Sequence, residues 1–275
     1  MEIRVNNISY FLEYHQQEPT LPSLLMLHGF MGSGRAFKHL INPLSRFCNP
    51  ITIDLLGHGQ TQDPGEPERY AVEHQLHDLF EIIAGIDGQG LFLHGYSMGG
   101  RLALRFAIQN PDMIKGLILE STNYGIEEKN QRKQRMKLDE ERVQAIETDF
   151  EEFLSSWHKL PIFKNGTDHS EELVEHYKTI QQNQRPCAIA NSLRGFGTAQ
   201  MPPVKEKLQQ LNMPVLLLAG EADTKYRDIL DEMDQLIPKS KHHIIKDAGH
   251  RIHLENPAAF VDQVQAFIFS SSCNR

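Results

Sequence analysis

Three short stretches, far apart in the chain, hold residue types that together can move a proton and stabilise an oxyanion. Gly95-Tyr96-Ser97-Met98-Gly99-Gly100 directly follows the apolar run LFLH and directly precedes an amphipathic pattern. The spacing is that of a nucleophile elbow: a serine on a sharp strand-to-helix turn, with glycine two residues before and two after it so that no side chain crowds the bend. Such a turn exposes Ser97 Oγ and leaves the Met98 N–H at a helix N-terminus, where backbone donors favour negative charge. Further on, Gly220-Glu221-Ala222-Asp223 closes the run VLLLA, and Asp247-Ala248-Gly249-His250 closes the run HII. A carboxylate and an imidazole, each in the loop beyond a strand's carboxyl end, complete a serine, acid and histidine set in which the imidazole activates the hydroxyl and the acid orients the imidazole. Asp223 is preferred to Glu221 because it lies farther beyond its strand and can reach a histidine on the neighbouring loop. Asp247 shares the loop of His250 and is expected to turn into the local backbone.

Other polar residues read as support. His28-Gly29-Phe30 follows the run SLLML, where the loop must supply a second oxyanion donor; the Phe30 backbone N–H is assigned that role, and His28 is read as a structural imidazole bonded to backbone. Asp54 opens a glycine-rich turn through Gly59 and is expected to organise it by local hydrogen bonds. His250 and His253 stand three apart without a third ligand at suitable spacing, so no metal site is indicated and His253 is read as a packing or surface residue. No GxxxxGK[ST] or GxGxxG fingerprint occurs, which leaves nucleotide binding without support.

The elements that must position these residues are legible as two regions of alternating runs and helical patterns. Ser23–Leu27, Ile51–Ile53, Leu91–Leu93, Leu117–Leu119, Val215–Ala219 and His243–Ile245 are short apolar runs of the kind that form buried parallel strands. Val72–Ile83, Met98–Gln109 and Pro257–Phe269 are amphipathic and supply crossover helices, while Ile3–Tyr14 reads as a hairpin at the sheet edge. Between Ser121 and Gln210 no strand-like run occurs and charge is dense, as in EEKNQRKQRMKLDEERVQAIETDFEEF; this segment reads as an inserted helical unit with many i,i+4 ion pairs. The expected division is therefore an α/β core of residues 1–120 and 211–275 with a helical cap at 121–210.

Composition narrows the function class. The chain has 275 residues, 40% of them hydrophobic, enough for a core of ordinary size. It carries 28 Lys and Arg against 36 Asp and Glu, a formal charge of −8, and no basic tail, which argues against a nucleic-acid partner. Any anionic ligand must then be held by a few placed arginines. Cys48, Cys187 and Cys273 are odd in number and far apart, without a disulfide or zinc pattern; a reducing compartment fits them. With no signal-like start and no run approaching the ~18 apolar residues of a membrane span, the expectation is a cytoplasmic protein that meets no membrane, and the sequence carries no signal of oligomeric state.

The order Ser97, Asp223, His250 within this pattern resembles the α/β-hydrolase superfamily over nearly the whole chain, which implies a mostly parallel sheet flanked by helices. A narrower likeness joins core and cap. The stretches GYSMGGR (95–101), Leu119-Glu120-Ser121, RKQRMKLD (132–139), Trp157 with Pro161-Ile162-Phe163, and ANSLRG (190–195) resemble the family of 2-succinyl-6-hydroxy-2,4-cyclohexadiene-1-carboxylate synthases of menaquinone biosynthesis. The resemblance implies a lyase that eliminates pyruvate from 2-succinyl-5-enolpyruvyl-6-hydroxy-3-cyclohexene-1-carboxylate, without cofactor or metal. It casts Ser97 as a base polarised by His250 and Asp223, with the Phe30 and Met98 N–H groups on the oxyanion. It also implies a polycarboxylate substrate held by arginines and a ring pocket lined by Tyr96 and Trp157. Arg101, four residues after Ser97 on the same helix face, is one expected carboxylate partner. Arg132 or Arg135 is a second, with the spacing of Arg135 to Asp139 favouring the latter.

The chain departs from that family at two places. It has Asn123-Tyr124-Gly125 where a proline-glycine turn is usual, and it lacks a basic residue near Gln181 or Gln182, for which Arg185 or Arg194 is the candidate replacement. Two rival functions share the motifs: a serine hydrolase, either a carboxylesterase or a carbon–carbon bond hydrolase with Ser97 as nucleophile, and a non-catalytic binding module on the same fold.

Overall fold

The computed structural model describes residues 1–86, 90–163 and 170–272. Its eight strands are β1 (Glu2–Val5), β2 (Ile8–Tyr14), β3 (Ser23–Leu27), β4 (Asn49–Ile53), β5 (Leu91–Tyr96), β6 (Gly116–Glu120), β7 (Val215–Gly220) and β8 (Ser240–Ile245). They form one sheet in the order β1-β2-β4-β3-β5-β6-β7-β8. The β1–β2 hairpin pairs antiparallel, and β2 joins β4 antiparallel; every other pairing is parallel. Each apolar run is therefore a strand, and β4 and β8 begin two and three residues before the runs that announced them.

The apolar runs are continuous because the sheet is covered on both faces, with successive side chains serving different cores. Leu25, Leu27, Leu93, Leu117, Leu119 and Leu217 belong to one cluster, whereas Leu24, Met26, Phe92, Ile118, Leu216 and Leu218 belong to the other. The first cluster is closed by helices α2 (Val72–Ala84), α3 (Met98–Gln109) and α8 (Thr224–Leu236). The second is closed by a 3-10 turn at Gly34–Leu40 and helices α1 (Ile41–Leu44), α9 (Ile252–Glu255) and α10 (Pro257–Ser272).

Among the described residues, four α-helices lie between β6 and β7: α4 (Lys129–Thr148), α5 (Phe150–His158), α6 (Glu171–Gln182) and α7 (Pro186–Phe196). The sequence marks where two of them start, because the Glu128 carboxylate accepts the Asn130 and Gln131 N–H groups at 2.8 and 2.6 Å, and Asp149 accepts that of Glu152 at 2.9 Å. Helix α4 buries only Asp139, Val143 and Ile146, so it is solvated along most of its surface as its charge density implied. Val143 and Ile146 pack with Phe153, Leu154, Ile189 and Leu193 and with Met31 of the core, which seats the helical segment over the carboxyl edge of the sheet.

The strand ends approach each other closely there. A Cβ on Gly220, at the end of β7, would sit on the carbonyl oxygens of Ala248 and Gly249 in the loop that carries His250. Gly220→Ala is therefore expected to destabilise the fold by ~1–3 kcal/mol through overpacking and to cost activity beyond the loss of folded protein. Denaturant midpoints and specific activity per folded molecule check this; an unchanged midpoint would mean that the two loops part freely.

Candidate active site

Ser97 sits at φ 50°, ψ −103°, a left-handed backbone conformation that costs a non-glycine residue ~1–3 kcal/mol and persists only when its surroundings enforce it. They do so by contact. A Cβ on Gly95 would lie 2.6 Å from Gly100 Cα, and one on Gly99 would lie 2.6 Å from the His28 carbonyl, so Gly95 lets the strand fold tightly onto the helix start and Gly99 lets the elbow nest against the end of β3. The Ser97 N–H donates to the Glu120 carbonyl at 2.9 Å and Thr122 Oγ1 donates to the Ser97 carbonyl at 2.8 Å, which ties the turn to the end of β6.

The structure brings the three expected side chains together. Ser97 Oγ lies 3.2 Å from His250 Nε2, and His250 Nδ1 lies 2.6 Å from Asp223 Oδ2. The tautomer that serves both contacts has Nδ1–H donating to the carboxylate and Nε2 accepting from the hydroxyl, the arrangement a general base requires. His250 and Asp223 are buried, while Ser97 stays partly open to the cavity above it. Glu221 is exposed and takes no part. Asp247 is also exposed and stands at φ 54°.

Phe30 and Met98 both line this cavity, and among the described residues neither backbone N–H donates to a protein acceptor. His28 holds the Phe30 loop: its ring donates to the Gly29 carbonyl at 2.7 Å and accepts the Leu55 N–H at 2.9 Å. Burial pushes that imidazole down to about 4, so it is neutral and serves as a backbone brace. Asp54 accepts the Gly34 and Gln60 N–H groups at 2.7 and 2.8 Å and organises the neighbouring turn.

The cavity has a volume of about 540 Å³. Apolar rings line much of it, among them Phe30, Tyr96, Trp157 and Phe163. Trp157 meets Phe30 edge-on at 5.5 Å, and Tyr96 tilts against the His250 ring at 5.4 Å. Three guanidiniums also reach it, from Arg101 on α3 and from Arg135 and Arg142 on α4. Arg135 Nε donates to Asp139 Oδ1 at 2.8 Å, Arg142 donates to the same oxygen at 3.2 Å, and Arg142 lies 5.2 Å over the Trp157 ring. Arg101 is 7% exposed and, among the described residues, its guanidinium donates to no acceptor; its Nε is buried and unpartnered. Burial, then the neighbouring Arg135 charge, push it down to about 9. Asp139 thus pairs with two of the three guanidiniums, and Lys225 and the Asp223 carboxylate also line the cavity.

Two arginines expected here are elsewhere. Arg132 donates from Nε to the Ala199 carbonyl at 2.6 Å and does not border the cavity, because its position on α4 turns it to the loop after α7. Arg194 forms a two-pronged pair with Glu147 at 2.6 and 3.0 Å, across the α4–α7 seam. Nor does Arg185 replace the missing cation near Gln181, since it is bound to the Thr61 carbonyl. Gln181 itself borders the cavity and accepts from His158 Nε2 at 2.6 Å. Arg142 was not anticipated, yet it repeats Arg135 at i+7 and Asp139 at i+3, the spacing that keeps side chains on one helix face. His253 is wholly buried against Glu120, and no metal-holding group of three ligands occurs among the described residues. Cys48 and Cys187 are unpaired; Cys273 lies outside the described residues.

A mostly parallel sheet with a strained serine elbow, an acid and a histidine on successive strand ends defines an enzyme of the α/β-hydrolase fold. Comparison agrees: the family described as alpha/beta hydrolase fold matches residues 22–257. A Bacillus subtilis protein called a putative 2-succinyl-6-hydroxy-2,4-cyclohexadiene-1-carboxylate synthase is 35% identical over 251 residues, covering 90% of each chain. The synthase of that name from Yersinia pseudotuberculosis is 29% identical over 92% of this chain and 89% of its own. The solved structure of MenH from S. aureus superposes with a TM-score of 0.89 at 33% identity, over 96% of this chain and 98% of that one. The chain belongs to the 2-succinyl-6-hydroxy-2,4-cyclohexadiene-1-carboxylate synthase family of α/β-hydrolase-fold proteins.

A buried guanidinium without a partner costs folding energy, so its removal should strengthen the empty protein. Arg101→Met is expected to raise Tm by ~2–4 °C, the shift that ~1 kcal/mol makes in a domain of this size, while lowering kcat/KM by at least ~10-fold. Calorimetry and steady-state kinetics on one preparation check it. A variant with lower Tm would show that Arg101 is already satisfied in the resting site.

Proposed function

We propose that the protein is a lyase that eliminates pyruvate from 2-succinyl-5-enolpyruvyl-6-hydroxy-3-cyclohexene-1-carboxylate, giving 2-succinyl-6-hydroxy-2,4-cyclohexadiene-1-carboxylate for menaquinone biosynthesis. The observation that carries the reading is the convergence of Arg101, Arg135 and Arg142 on the cavity that holds Ser97. A neutral ester would leave Arg101 without a counter-charge and Arg135 and Arg142 sharing one carboxylate, whereas this substrate bears one carboxylate on its ring, one on the succinyl arm and one on the enolpyruvyl arm. Guanidinium binds carboxylate through a planar two-donor fork, and the match is strongest where water is excluded.

In the mechanism this supports, Ser97 Oγ takes the ring proton made acidic by the succinyl carbonyl, as its own proton passes to His250 Nε2. The electron pair moves onto the carbonyl oxygen, where the Phe30 and Met98 N–H groups hold the developing charge. Its return breaks the ring carbon–oxygen bond and expels the enolpyruvyl group, which gains a proton and becomes pyruvate. Asp223 keeps the imidazole oriented and stabilises its charged form. Ser97 thereby acts as a base with no acyl intermediate. Tyr96 and Trp157 flank the substrate ring, and residues 121–210 act as a cap over a core of residues 1–120 and 211–275. Among the described residues no helix is long and apolar enough to cross a membrane. A cytoplasmic setting agrees with the unpaired Cys48 and Cys187.

Release of pyruvate from this substrate by the purified protein, followed by a coupled assay, is the direct test, and absence of release would sink the reading. Ser97→Ala and His250→Ala are expected to fold normally and lose ~10³-fold or more in turnover. Mass spectrometry during turnover should find no substrate-derived adduct on Ser97; an ester formed at a competent rate would favour the hydrolase route. Arg101→Lys, Arg135→Lys and Arg142→Lys keep the charge but lose the fork, and each is expected to reduce kcat/KM by ~10- to 100-fold. An unchanged kcat/KM in one of them removes that residue from the carboxylate set.

A further inference from the structure

Beneath the triad lies a second group of polar side chains that the elimination chemistry does not use. Glu120, the last residue of β6, is wholly buried together with His94 of β5 and His253 of α9. Glu120 Oε1 accepts the His253 backbone N–H at 3.0 Å and its ring Nδ1–H at 2.7 Å, while Oε2 faces His94 Nε2 at 3.1 Å. Burial drives the carboxyl toward its neutral form, but the two imidazoles, His253 foremost, overcome this and hold it below the usual carboxylate range. Replacing such a buried ionic set by apolar side chains of the same volume is often neutral or stabilising, so packing alone gives no reason for it.

Its connections give one. The carbonyl of Glu120 receives the Ser97 N–H at 2.9 Å, and its carboxylate receives the N–H of a residue only three beyond His250. One residue at the end of one strand is therefore bonded to both partners' loops. The Tyr96 ring fills the space between, 4.7 Å from the His253 ring and 5.4 Å from the His250 ring. The loop has other ties: before His253 in the chain, the Ala222 N–H just beyond β7 donates to the Ala248 carbonyl at 2.9 Å and His250 Nδ1 meets Asp223 at 2.6 Å, so Glu120 is the sheet's hold on the side of the loop that runs into α9. Gly249 N–H binds the Glu255 carboxylate, which shapes the turn without locating it on the sheet, since Glu255 belongs to α9 itself. His39 donates to the His253 carbonyl at 2.7 Å from the 3-10 turn, outside the sheet.

We infer that Glu120 is a positioning residue: through its main chain it holds Ser97, through its side chain it holds the His253 end of the His250 loop, and so, together with the Ala222–Ala248 bond at the other end, it sets the Ser97 Oγ to His250 Nε2 separation. The inference uses the elimination reading only for its assay. What matters is the reach of the carboxylate, which separates this role from a charge effect and from plain fold stability.

Glu120→Asp keeps the charge and shortens the arm by one methylene; Glu120→Gln keeps the arm and an acceptor oxygen but loses the charge. Because a displacement of ~1 Å between reacting groups costs on the order of 10²-fold, Glu120→Asp is expected to lose ~10- to 100-fold in kcat per folded molecule with KM within about twofold. Glu120→Gln should lose only a few-fold, on the same ground that reach is retained. The rate of Ser97 labelling by a fluorophosphonate, which needs the serine–histidine pair but no substrate, should rank the proteins identically. Full kcat in Glu120→Asp with only a lower Tm would overturn the inference, as would a larger loss in Glu120→Gln than in Glu120→Asp. Should Glu120→Asp not fold, His253→Gln carries the test: it removes the ring held by Glu120, a fall in kcat at constant KM is expected, and full kcat overturns the proposal. A wild-type protein that is labelled at Ser97 yet releases no pyruvate would overturn the elimination reading alone, and the labelling ranking would then decide the role of Glu120.

Discussion

The parallel pairing of β5, β6, β7 and β8 is the constraint on which the rest of this molecule depends. Parallel strands leave all their carboxyl ends on one edge, and the loops that follow three of these strands carry Ser97, Asp223 and His250. Registry within the sheet thereby becomes registry among reactive groups. The pairing holds because β5, β6 and β7 are buried along their whole length and feed two separate cores, so a slip of one residue would exchange the faces of every side chain.

Charge is distributed against the overall balance of the chain. The protein as a whole is acidic, with a formal charge of −8, yet the cavity over Ser97 is lined by Arg101, Arg135 and Arg142, two of which share the Asp139 carboxylate. Long-range attraction for an anion is thus weak and recognition is local, made by guanidiniums held in place before any ligand arrives. Asp139 restrains two of them, and Phe196 lies beneath the third, 5.9 Å from its guanidinium carbon. Such preorganisation lowers the ordering cost of binding and places that cost in the folded protein.

The core was legible because its signals are local. Six apolar runs, a glycine-bounded serine and amphipathic helices such as Met98–Gln109 each report their own structure, and Asp223 could be separated from Glu221 by reach alone. What escaped depends on how one element is turned toward another. Arg132 and Arg135 are three residues apart on α4, yet the packing of α4 on α7 sends one to a loop carbonyl and the other to the cavity. Arg194 follows the ANSL stretch like a ligand-binding residue but finds Glu147 first. Glu120 ends the run GLILE as an ordinary strand boundary would, and nothing near it in sequence announces His94 or His253.

The chain has one tryptophan, and it is Trp157, in contact with the Phe30 ring of the loop after β3 and with the Arg142 guanidinium. Indole emission from this protein therefore originates wholly at the wall of the reaction cavity, beside a cation and next to a loop bearing an unengaged N–H. A carboxylate that draws Arg142 away, or a ring that parts Trp157 from Phe30, changes the polarity and quenching of that one emitter. The protein is in this sense self-reporting: occupancy of the cavity and the motion of its wall can be followed in unlabelled material, with no background from any other indole.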